Sequence, residues 1–163
     1  MYKKSGIISL VLLLSACSTT QQTPSNQTDS SATAVSKVVS SESLTVNDKA
    51  LQHHHWILSD IDGEPIASDP HFKAPTLEIG ENMTANGLAG CNNFFGQGEL
   101  NNGKFRIQQM GMTMKMCPDA IMKTEMLYSQ ALAQWNQVTL TQSQLVLKGP
   151  EHTLTFKLKD WVN

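Results

Sequence analysis

Apolar and polar residues alternate with period two in this chain, and turn formers break the pattern every few residues. This feature limits most what the chain can fold into. The alternation recurs in Thr76-Leu77-Glu78-Ile79, Lys104-Phe105-Arg106-Ile107, Val138-Thr139-Leu140-Thr141, Leu145-Val146-Leu147 and Leu154-Thr155-Phe156-Lys157-Leu158. Successive side chains on a strand point to opposite faces, so each segment reads as a half-buried strand with one wet face. Gly80-Glu81-Asn82, Asn101-Asn102-Gly103, Thr141-Gln142-Ser143 and Lys148-Gly149-Pro150 supply turn chemistry between them. Strands joined by connections this short pair antiparallel.

One helix interrupts the strands. Pro118 suits a first helical position, and Asp119 places an acid in the first turn. No Gly or Pro follows until past Gln134. Ile121, Glu125, Tyr128 and Leu132 share one face at helical spacing, with Met122, Met126 and Ala133 on a neighbouring stripe. The expected class is therefore α+β, mostly β: a twisted, barrel-like antiparallel sheet packed against the Met/Leu/Tyr side of one helix. A chain of 163 residues suits one such domain with a tail. Its net charge of −2 argues against a nucleic-acid partner held by a basic surface. Three tryptophans and two tyrosines leave little for a base-stacking platform. Three cysteines exclude a densely stapled mini-protein.

Residues 1–16 read as an address rather than as part of the fold. Lys3 and Lys4 flank the apolar run Ile7 to Leu14, which is shorter than the about 20 residues of a spanning helix and has the length of a signal-peptide core. Leu14-Ser15-Ala16-Cys17 resembles the bacterial lipobox, in which the cysteine is lipidated and becomes the new N-terminus. An ordinary secretory signal cut nearby and an uncleaved anchor are the alternatives. Cleavage before Cys17 removes two cations and no acid, so the mature chain is more acidic and its membrane attachment must come from acyl chains. Ser18 rather than Asp follows the cysteine. By similarity to the enterobacterial sorting pattern, this favours the outer membrane, periplasmic face. Residues 17–50, rich in Ser, Thr and Gln, bury too little apolar surface to offset their ordering entropy. They are expected to form a disordered tether of roughly 30 Å root-mean-square reach. Residues 51–163 are the expected domain.

Five pieces of that domain can be matched in order: Trp56-Ile57-Leu58 with Gly63; Pro75-Thr76-Leu77-Glu78-Ile79; Gly90-Cys91-Asn92-Asn93-Phe94-Phe95-Gly96; Thr113-Met114-Lys115-Met116-Cys117; and Glu125 with Tyr128 and Leu132. Together they resemble the META domain family from Trp56 to Leu158. The resemblance implies a role in envelope stress or antibiotic tolerance, no established catalysis, no cofactor and no named ligand. It marks Gly90, Cys91, Asn92, Thr113, Met116, Cys117 and Glu125 as motif residues.

Several residues invite a chemical reading. Once Cys17 is acylated, Cys91 and Cys117 remain. In an exported domain they are disulfide candidates. Two buried thiols, or a reactive Cys117 beside the helix start, are the alternatives. No Cys-x-x-Cys occurs. Gly87, Gly90, Gly96 and Gly98 in a β context suggest bends, bulges or close backbone approach, and no phosphate-loop Lys-Ser/Thr follows. Asn92 reads as a turn former or a satisfied buried amide. Met110, Met112, Met114 and Met116 alternate, so an extended strand would turn all four one way. They are expected to be core, with Met114 and Met116 against sheet or helix. A Cu(I) site of soft thioethers is the rival. His53-His54-His55 cannot easily share one ion along a strand, and no metal site is assigned to it. Glu125 is the one charge on the core-facing stripe, so it is either buried and hydrogen-bonded or at the water's edge. No Gly-x-Ser-x-Gly nucleophile motif is present.

The function expected is that of a non-enzymatic, lipid-anchored envelope protein, monomeric, binding an envelope protein or hydrophobic ligand and no nucleic acid. A metal-handling protein and a hydrolase or thiol enzyme are the alternatives.

Overall fold

The computed structural model describes residues 42–67 and 69–161. The signal segment 1–16, Cys17 and most of the tether expected over 17–50 lie outside the described residues.

The chain runs through α1 (Asp48–Leu51), β1 (His54–Ile61), β2 (Glu64–Pro65), β3 (Thr76–Ile79), β4 (Thr84–Leu88), β5 (Asn93–Asn101), β6 (Lys104–Met112), α2 (Asp119–Ala133), β7 (Asn136–Leu140), β8 (Gln144–Lys148) and β9 (Thr153–Trp161). Every neighbouring pair of strands is antiparallel, and β9 returns to pair with β1. The sheet is thereby a closed ring, which removes the exposed edges of an open sheet. The alternation seen in the sequence is the burial pattern: Leu77 and Ile79 on β3, Leu145 and Leu147 on β8, and Leu154 and Phe156 on β9 all point inward. At the β5–β6 turn, Asn102 and Gly103 both have positive φ, as a two-residue hairpin requires.

The expected tether boundary at residue 50 needs correction. The Leu44 N–H donates to Leu140 O at 2.7 Å, Asn47 caps α1, and Leu51 is fully buried. These residues belong to the domain because Leu51 and the half-buried Val46 and Ala50 give them an apolar face to pack.

Helix α2 plugs the ring. Pro118 stands just before its first helical residue, and the Asn136 side-chain amide donates to Ala131 O at 2.9 Å beyond its end. Glu125, Tyr128, Ala131 and Leu132 are buried. The neighbouring stripe departs from expectation: Met122 is half-buried, while Met126 and Ala133 face water. Tyr128 explains the choice of face. Its ring meets Phe94 of β5 and Phe156 of β9, and its hydroxyl donates to Thr76 O of β3 at 2.9 Å. One side chain thus reaches three strands.

Burial pushes the Tyr128 phenol well above its ordinary pKa near 10. Below that pH both folded and unfolded states hold the proton. Above it the unfolded chain releases a proton that the folded one keeps, so stability falls as pH rises. The expected slope from this group is about 1.4 kcal/mol per pH unit above pH 10. Tyr128→Phe should lose about 1 kcal/mol at neutral pH with the hydrogen bond, yet show a shallower alkaline decline. Urea melts of both proteins at pH 8 to 11 measure it; equal slopes would show that Tyr128 does not set the decline.

Candidate functional site

The motif residues meet where the β4–β5 turn touches α2. Ala89 N–H donates to Asn92 O at 2.8 Å, closing a tight turn over Gly90. Gly90 has φ +140°, and a Cβ there would lie 3.3 Å from Ile121 O and 3.5 Å from Glu125 Cβ. Glycine is needed both for the conformation and for the room that α2 occupies. Just before it, a Cβ on Gly87 would fall 2.0 Å from Thr76 O, so β3 and β4 approach there as only glycine permits.

Glu125 projects from α2 into this turn. Its Oε2 accepts the Cys91 N–H at 3.0 Å and the Asn92 N–H at 2.6 Å, and its Oε1 accepts the Asn92 Nδ2 at 2.9 Å. Of the two alternatives for Glu125, the buried, hydrogen-bonded one is what the structure has. Three donors compensate a carboxylate that would otherwise be costly inside. Asn92 extends the network to the segment after β6. Its Oδ1 accepts from Thr113 Oγ1 at 2.9 Å and from the Lys115 N–H at 2.7 Å, and its Nδ2 also donates to Lys115 O at 3.2 Å. Thr113 Oγ1 accepts the Asn93 N–H at 3.1 Å. A disulfide joins Cys91 to Cys117 with Cα atoms 6.0 Å apart, within the span such bonds require. Gly90, Cys91, Asn92, Thr113, Cys117 and Glu125 therefore form one knot that ties the turn to α2 and to residues 113–117.

Met116 is outside the knot. The expectation that Met114 and Met116 are core is overturned: they are 96% and 90% exposed. The reason is that β6 ends at Met112. Thr113 makes a last backbone bond to Asn93 O, and the chain then leaves the ladder to reach Asn92 and the disulfide. Even within β6 the period slips. Gln109 has φ +51° at a bulge opposite β5, so Met110 and Met112 are both half-buried against the core. Residues 113–117 are thus a ribbon fastened at both ends that displays two thioethers. On the outer face nearby in sequence pairing, Phe95 lies over Gly111 and is 64% exposed.

The three histidines do not converge. His53 meets Glu81 at 3.1 Å, His54 is buried against Trp56 with Nδ1 on Gln52 O, and His55 meets Asp160 at 3.1 Å. Each pairs with a different part of the protein.

Sequence reasoning missed a second feature, on the outer face of β1. Ile57 points outward between His55 and Ser59, and Ile66, Phe72 and Ala74 lie around it. The signal was Trp56-Ile57-Leu58, three apolar residues in succession where alternation calls for a polar one.

Comparison with known proteins agrees with this architecture. The family model described as META domain matches residues 49–161. Heat shock protein HslJ of Escherichia coli (strain K12) is 36% identical over 126 residues, covering 77% of this chain and 88% of the relative. An NMR structure 36% identical to the chain covers 70% of it and 96% of the relative, with a TM-score of 0.61. An NMR structure of a protein from Burkholderia xenovorans, 24% identical, shares the fold with a TM-score of 0.59 over 76% of this chain and 97% of its own. With a matching model across nearly the whole described domain and a relative of this identity, the chain belongs to the META domain family.

Proposed function

We propose that this protein is a non-enzymatic lipoprotein, held to the periplasmic face of the outer membrane by acyl chains on Cys17, that serves envelope stress tolerance by holding a partner. The observation that carries the reading is the fastened ribbon. Asn92, Glu125 and Thr113 direct their polar atoms at one another and at backbone. Such a knot positions a surface rather than a reaction. What it positions is Met114 and Met116, adaptable apolar side chains suited to a contact face. The name of the Escherichia coli relative supports the stress role.

In cells, Met114→Ser with Met116→Ser should remove protection against heat stress while protein level and melting temperature stay unchanged. Full complementation by that variant would sink the ribbon as the working surface. The anchor is tested separately. Cys17→Ser should move the protein out of the detergent phase, and partitioning that survives the change would refute lipidation at Cys17.

A second reading is favoured by the same exposure. Displayed thioethers suit Cu(I) better than buried ones. Because the histidines lie apart, such a site would rest on Met112, Met114 and Met116. A Cu(I) titration against a competing chelator separates the readings. Submicromolar binding that disappears when the three become Leu selects copper, and its absence selects the contact face.

A further inference from the structure

The outer face of β1 carries a groove that the motif knot does not touch. Residues 66, 67 and 69–75 lie over the barrel, tied by Ile66 N–H on Ser59 O at 3.0 Å and by Leu58 N–H on Pro75 O at 2.9 Å. Between those points Phe72 folds back through a bridge with Asp69. Two hollows lie beneath. One, of 380 Å³, is walled by Ile57, Ile66 and Phe72; the other, of 530 Å³, opens beside Leu88 and Thr76. Both have Ile57 and Ala74 in their walls, so they adjoin there. Each lies in the range of small-ligand sites, about 300–1,000 Å³.

The charges around this groove are asymmetric in availability. Lys157 lines one hollow, and Lys73 and Lys159 line the other; all three are exposed. None forms an ion pair with a carboxylate among the described residues. Asp160 meets His55 at 3.1 Å, and Asp69, whose Oδ1 accepts the His71 N–H at 2.7 Å, is the one carboxylate in the wall of either hollow. The result is an apolar floor lined by three unpaired lysines against one carboxylate, on a chain whose net charge is negative.

We propose that this groove binds a single-chain amphiphile with an anionic head, of the fatty-carboxylate class: its chain against Ile57, Ile66 and Phe72, its head between Lys73, Lys157 and Lys159. Apolar contact supplies the attraction, and the rim lysines supply the choice of head. The site is independent of the ribbon proposed above as a contact face.

The test uses the full-length chain carrying Cys17→Ser, so that no acyl group of its own competes. Dodecanoate below its micelle concentration should shift the backbone amide resonances of Ile57, Phe72 and Lys159 with micromolar affinity. Dodecyltrimethylammonium, of equal chain length, should bind about tenfold more weakly. Lys73→Glu with Lys157→Glu and Lys159→Glu should weaken dodecanoate by about tenfold or more, and Ile57→Gln should weaken both amphiphiles alike. Circular dichroism melts confirm that each variant folds. Equal affinity for the two heads, or binding unchanged in the lysine variant, overturns the proposal. So does binding to anionic phospholipid vesicles without any response to monomeric dodecanoate, which would make the face a membrane contact instead.

Discussion

Glu125→Ala should lower the unfolding free energy by about 3–5 kcal/mol, the largest loss expected from any single polar substitution in the domain. The substitution removes the acceptor for three donors at once: the Cys91 N–H, the Asn92 N–H and the Asn92 side-chain amide. Those donors sit in a buried turn, where each unsatisfied group costs about 1–3 kcal/mol. Glu125→Gln should lose less, since it keeps one oxygen, but it turns an amide donor toward other donors. Asn92→Ala should be costly too, because Asn92 joins Glu125 to Thr113 and Lys115. The two losses should not add: with either residue gone, part of the other's interactions is already absent, and a coupling of about 1–3 kcal/mol is expected. Urea unfolding of the two single variants and the double variant reads all three numbers. Additive losses would mean that Glu125 and Asn92 stabilise the fold separately and that no knot exists.

Removing the disulfide should cost about 3.5 kcal/mol. Cys91 and Cys117 are 26 residues apart, and in the loop-entropy account a crosslink of that span restricts the unfolded chain by this amount. Unfolding measured with and without a reductant gives the value, and Cys91→Ala with Cys117→Ala should reproduce the reduced protein. The loss should also be localised. Residues 113–115 keep their bonds to Asn92 and Asn93, so amide exchange should accelerate chiefly at Met116 and Cys117. An unfolding curve indifferent to reductant would show that the hydrogen-bonded part of the knot holds the turn without the crosslink.

Much of the architecture was legible in the sequence because it rests on local rules. Leu77, Phe105, Leu145 and Phe156 announce their faces by alternation, and Asn102-Gly103 announces its turn. Pro118 and Asp119 mark where a helix begins. The motif residues could be named from the family resemblance, and Glu125 stood out as a charge on an apolar stripe. What it binds did not, since Cys91 and Asn92 lie more than thirty positions away in the chain. The methionine row misled for a physical reason. Alternation in sequence continues to Met116, but the hydrogen-bond ladder that gives alternation its meaning stops at Met112. Beyond that point Asn92 and Cys91, not a neighbouring strand, decide which way the chain turns. The outer groove was hidden for the opposite reason. Its cover comes from residues 66, 67 and 69–75, which carry little regular secondary structure and so no periodicity to read.

Pairing β1 with β9 has a consequence in time as well as in shape. Ser59 Oγ donates to Thr155 O across 96 positions of sequence, and His55 meets Asp160 across more. These contacts cannot exist until nearly all of the domain is available, because the strand that completes the ring is also its last. A chain supplied from its N-terminus must therefore hold β1 open on one side while everything between is delivered. Loop closure of this length is slow to find, and it yields nothing until the final strand arrives. The barrel is clasped rather than grown, and the clasp is the last piece to reach it.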